Sequence, residues 1–93
     1  MEINICGIPH TIKEFPDKFN VDTHFGQIDH LACEIRVNAE LNREVKKECI
    51  CHEFVHGALV HLGYNDLHND EQFVQAMGNA IYQAFGKDMR WME

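Results

Sequence analysis

The chain is short of positive charge. Its 93 residues carry 8 Lys and Arg against 15 Asp and Glu, a formal net charge of −7. A field of that sign repels phosphate backbones, so recognition of nucleic acid through a basic patch is not expected. Long apolar runs are also missing. None approaches the roughly 20 residues that cross a bilayer, and no membrane association is expected. The opening residues Met1-Glu2-Ile3-Asn4 lack the basic and apolar segments of a secretory signal. The cysteines Cys6, Cys33, Cys49 and Cys51 form no C-x-x-C pair, which argues against a cysteine zinc knuckle or a thioredoxin-type site. Cys49 and Cys51 would lie about 200° apart on a helix and could not share a metal. Internal repeats, low-complexity tracts and linkers are absent. These absences predict a cytoplasmic protein, a single domain over residues 1–93, with cysteines serving as small buried apolar side chains.

What is present concentrates in one pentapeptide. His52, Glu53, Phe54, Val55 and His56 read H-E-x-x-H. On a helix, residues four apart project from one face, so the two imidazoles converge on one point. Such a point suits Zn²⁺, which takes neutral imidazole nitrogen and tolerates a coordination position left to water. Glu53 falls about 100° round the helix from His52, where its carboxylate can reach that water without binding the metal. The surroundings agree. Apart from Glu53, no charged residue interrupts Cys49 to Val60, as a metal-bearing face packed on a core requires.

The first third of the chain, about residues 1–41, reads as sheet. Ile3, Ile5 and Ile8 suggest a first strand that stops at Pro9 or lies at an edge, because proline cannot donate to a ladder. Glu14 to Thr23 reads as irregular, with Pro16, Asp17, Asn20 and Asp22 as turn formers. Phe25 to Ile28 and Leu31 to Val37 read as two strands joined around Asp29 and His30. In the second, Leu31, Cys33, Ile35 and Val37 share one side, the pattern of a half-buried antiparallel strand. A helix follows over about residues 42–62, capped by Asn42 and stopped by Gly63. A further helix over about 69–86 takes Asn69 as its cap and shows Phe73, Ala76, Met77, Ala80, Ile81 and Ala84 as its apolar face. The expected fold is therefore α+β, a short antiparallel sheet packed on two helices.

A catalytic zinc site needs a third protein ligand. His61 lies about 140° round the helix from His56 and points elsewhere. The metzincin pattern would place glycine and histidine where Leu59 and Leu62 stand, so that class is excluded. Glu71, at the start of a helix that a short loop returns antiparallel to the first, is the leading candidate. Gly78, two turns on, would let the two helix backbones approach. Asp70 is its chief competitor, and His68 and Asp66 in the connecting loop stay open.

The run Cys51-His52-Glu53-Phe54-Val55-His56-Gly57-Ala58, followed after a short loop by Glu71-Gln72-Phe73-Val74, resembles the minimal gluzincins. These include the ImmA/IrrE-type peptidases and small phage or mobile-element zincin domains. Gly26-Gln27-Ile28-Asp29 and Glu34-Ile35-Arg36-Val37 resemble the strands such domains carry before the active-site helix. The resemblance implies a zincin-like fold, His52, His56 and Glu71 as zinc ligands, Glu53 as general base, and a peptide or protein as substrate. A second segment, His56 to Asp66, is similar to part of the YbeY endoribonucleases, but its histidine spacing is one residue off and the acidic charge disfavours RNA. On the peptidase reading, Leu31 to Val37 could hold substrate as an added strand if exposed at an edge. Tyr64, His61, His24 and His30 are candidates to stabilise an oxyanion. The competing class is a binding module whose zinc is purely structural, closed by a fourth ligand from Asp70, Asp66 or His68.

Overall fold

A computed structural model describes residues 1–15 and 26–89. It shows the α+β fold expected, with strands β1 (Glu2–Ile5), β2 (Ile8–Phe15), β3 (Gly26–Asp29) and β4 (Glu34–Asn38), then helices α1 (Arg43–Leu62), α2 (Asn65–His68) and α3 (Glu71–Phe85). The strands form one sheet in the order β1-β2-β4-β3. The outer pairs β1–β2 and β3–β4 are antiparallel, whereas the central pair β2–β4 is parallel. Alternation in sequence says which side chains face the core. It carries no information about the direction of the neighbouring strand, so the parallel pairing was not legible.

The first strand expected from Ile3 to Ile8 is two strands. The chain reverses at Cys6-Gly7, where both residues have positive φ (52° and 85°) and Ile5 pairs with Ile8 across the turn. That is a two-residue hairpin of the twist that antiparallel strands favour. Pro9 does not end β2 or place it at an edge. Ile12 N–H donates to Met1 and Thr11 N–H to Cys33 on the opposite side, so alternate amides serve alternate neighbours. Pro9 shares the phase of Thr11 but precedes the β2–β4 ladder, which begins at Thr11, and therefore leaves no bond unmade. Glu14 and Phe15, expected to be irregular, continue β2. The remaining irregular stretch to Thr23 and the strand start at Phe25 lie outside the described residues.

Leu31, expected inside a strand, is 97 % exposed. It sits in a turn where the Asp29 carboxylate accepts from the N–H groups of Leu31 and Ala32, both at 3.0 Å. Such side-chain-to-backbone bonding competes with a ladder and holds the chain out of β geometry until Glu34. From there the alternation holds. Ile35 and Val37 are fully buried, while Glu34 and Arg36 pair with each other at 2.6 Å, Glu34 also with Lys13 and Arg36 with Asp29.

Helix α1 lies against the sheet and α3 against α1. Asn42 accepts from Glu44 N–H at 2.8 Å and Gly63 closes the helix in the left-handed conformation, both as expected. Two glycines set the distances. A Cβ on Gly57 would stand 3.0 Å from Ile5 and Ile28, and one on Gly78 would stand 2.9 Å from the His52 Cα. Their hydrogens let α1 settle on the sheet and α3 settle against the turn of α1 that carries His52. The core joins Ile5, Ile12, Ile35 and Val37 of the sheet to Ile50 and Cys51 of α1 and to Met89. Of the cysteines only Cys51 is buried, and Cys6 is exposed at the hairpin turn. The face of α3 also differs from expectation. Val74 and Gly78 are its buried positions, Phe73 and Ile81 are half-buried, and Ala76, Met77, Ala80 and Ala84 face outward.

Candidate metal centre

His52 and His56 stand one turn apart on α1 with ring centroids 5.0 Å apart. Helix α3 returns across them and presents Glu71 from its first turn. Glu71 Oε1 lies 3.2 Å from His52 Nε2, and Oε2 lies 3.0 Å from His56 Nε2. One ligand atom from each of the three falls within 4.8 Å of the others, close enough to hold a metal ion. Glu71 owes its place to the close approach at Gly78, seven residues along the same helix.

The other candidates are elsewhere. Asp70 is the N-cap of α3, a role expected of Asn69, and its carboxylate accepts from Phe73 N–H at 3.0 Å. Asp66 lies exposed on α2, a short helix in what reads as loop, outside the cluster. His61 turns away, as its helical position requires, and its ring meets His10 edge-on at 5.6 Å. His68 approaches from outside the cluster, its Nδ1 3.0 Å from His56 Nδ1.

The chemistry of the donor set fits a cation. His52 Nδ1 is 2.8 Å from the Gln75 side-chain carbonyl, which can only accept, so the ring donates from Nδ1, and a neutral ring then keeps its lone pair on Nε2. That lone pair faces a carboxylate oxygen, and two such atoms repel unless a proton or a metal ion stands between them. Burial, the larger influence on His56, works against its imidazolium and holds its pKa below the ordinary value, although Glu71 pulls the other way. Gln75 was not anticipated. Its signal was available, since it stands four residues after Glu71 on the same face of α3.

Comparison with protein-family models, with curated proteins and with solved structures finds no match. The site's own geometry therefore carries the functional argument.

Glu53 projects into a cleft of about 520 Å³ beside the cluster, lined also by Gly26, Gln27 and Ile28 of β3 and by His30 and His68. The carboxyl is buried, and burial pushes its pKa up to about 7, with His52 opposing the rise and Glu71 adding to it. A carboxyl so placed exchanges protons near neutral pH. Of the four oxyanion candidates, His30 lines the cleft, Tyr64 and His61 do not, and His24 lies outside the described residues. Burial, and then the neighbouring His68, His61 and His10, hold His30 below its usual pKa and favour a neutral ring. Leu31 to Val37, which could hold substrate only if exposed at an edge, presents none. Its β portion is β4, bonded on both sides. Among the described residues it is β3 that ends the sheet next to the cleft, and no helix is long and apolar enough to cross a membrane.

Proposed function

We propose that this domain is a zinc-dependent peptidase of the minimal zincin type. The observation that carries the reading is the convergence of two imidazole Nε2 atoms and both oxygens of one carboxylate beside a separate, buried carboxyl. His52, His56 and Glu71 would hold the ion, and Glu53 would stay free of it. Zinc bound there would acidify a water and polarise the scissile carbonyl. Glu53 takes the proton from the attacking water and passes it to the leaving amine. Burial raises its pKa to about 7 in the metal-free chain, and a bound cation would draw it back toward the carboxylate that accepts the water's proton. The outer side of β3, which ends the sheet among the described residues, would accept an extended peptide as an added strand and give a domain of this size a grip on its substrate through backbone hydrogen bonds. His30, at the cleft and favoured as a neutral ring, would donate to the developing oxyanion.

A purely structural ion would require a fourth protein donor. The cluster among the described residues has three, and Asp70 is engaged as a helix cap. The two readings part on Glu53→Gln. Zinc content should be unchanged and hydrolysis of a mixed peptide library, followed by mass spectrometry, should fall by about 10²–10⁴-fold. Cleavage at the unaltered rate by this variant would remove Glu53 from the mechanism. Protein purified without chelator that carries no zinc and takes none up would remove the metal.

A further inference from the structure

The two ligand histidines differ in what stands behind them. Behind His52 is a carboxamide oxygen, an obligate acceptor. Behind His56 is another imidazole, with 3.0 Å between the two Nδ1 atoms. A single proton can lie on that line. If both nitrogens carried one the hydrogens would collide, and if neither did two lone pairs would face each other. A metal at His56 Nε2 occupies that atom's lone pair, so the ring's one proton must sit on Nδ1 and be donated outward. His68 must then accept through Nδ1 and carry its own proton on Nε2.

We infer that His68 is the outer-sphere acceptor of the metal centre: it fixes the tautomer and ring angle of His56, and does not itself ligate the ion. The inference rests on the metal reading of His52, His56 and Glu71, though not on peptidase activity. Its geometry is built. Helix α2 delivers the ring at its last residue, and the ring sits edge-on to His56 at 4.7 Å and edge-on to His30 at 5.4 Å. The two ring contacts fix the plane of the His68 imidazole, and the 3.0 Å approach to His56 sets which of its nitrogens faces that ring. His68 and Gln75 are thus functional counterparts, one from the connecting helix and one from α3, each fixing one of the two ligand rings.

The test uses the full chain and Zn²⁺. Affinity is measured by competition with a chromophoric chelator for the unaltered protein, His68→Leu and His68→Asn. Leucine removes the acceptor, and asparagine places an amide oxygen where Nδ1 stood. Leucine should weaken zinc binding by about 10–100-fold, and asparagine should recover most of the loss. Unchanged affinity in the leucine variant, or equal weakening in both, overturns the assignment. X-ray absorption on the zinc-loaded leucine variant should still count two imidazoles, and loss of one would make His68 a ligand. A readout without substitution is ¹⁵N NMR of the histidine rings in the zinc-loaded unaltered protein. It should find His56 protonated at Nδ1 and His68 unprotonated there, and the reverse assignment refutes the role. If the unaltered protein binds no zinc, the metal centre fails, and this inference with it. Normal zinc binding with an indifferent His68 sinks the inference alone.

Discussion

Replacing Glu53 by glutamine should make the metal-free protein more stable at neutral pH, by an amount that depends on pH in a defined way. Glu53 has 7 % of its surface exposed, and its carboxyl titrates near 7 in the folded chain against an ordinary 4.5. The native state therefore holds this proton more tightly than the unfolded chain does. The stability that follows is fully present below pH 4.5 and is lost as pH rises through about 7. At about 1.4 kcal/mol per pH unit, the gap amounts to roughly 3 kcal/mol. That is a sizeable fraction of the 5–14 kcal/mol or so expected for a chain of this length. Glutamine resembles the neutral acid in shape and has no charge to bury. The two proteins should thus unfold alike near pH 4 and diverge above pH 5, with the variant up to about 3 kcal/mol more stable by pH 8. Urea denaturation followed by circular dichroism, with chelator present, reads this directly. With slopes of about 1–3 kcal/mol/M the midpoints should separate by roughly 1–3 M. Saturating zinc should narrow the separation, since a nearby cation favours the carboxylate. Curves that run parallel from pH 4 to pH 8 would mean that Glu53 is not buried beside the cluster, and its role as a poised base would go with it.

Two further outcomes follow from the same geometry. Glu71→Ala should weaken zinc binding by well over tenfold in a chelator competition and abolish the rise in melting temperature on adding zinc, whereas Asp70→Ala should lower stability by about 1 kcal/mol through the lost cap and leave the affinity nearly intact; the reverse pattern would move the third ligand to Asp70. Gly78→Ala ought to gain up to about 1 kcal/mol of helix propensity, yet the new Cβ would meet His52 backbone at 2.9 and 3.0 Å, so a net loss of about 1–3 kcal/mol and weaker zinc binding are expected as α3 is pushed away. An alanine variant more stable than the parent would show that the helices do not meet there.

The sequence by itself determined the elements whose signals are local. The caps Asn42 and Gly63, the length of α1, and the shared face of His52 and His56 depend on spacing along one helix and on side chains bonding nearby backbone. The alternation of Ile35 and Val37 with Glu34 and Arg36 marked a buried face for the same reason. Other features depended on which distant groups meet. The parallel β2–β4 pairing, the edge at β3 and the outward turn of Ala76, Met77, Ala80 and Ala84 are decided by packing, because a strand's or helix's periodicity is blind to its neighbour's identity and direction. Asp70 and Glu71 were hard to separate in sequence, being adjacent acids at a helix start, both favoured there by the macrodipole. The fold separates them. The cap geometry claims Asp70, and the contact at Gly78 brings Glu71 over the two imidazoles. Tertiary contact also decided that His68 and Gln75 stand behind the His56 and His52 rings, since a hydrogen bond between separate helices leaves no period in either one.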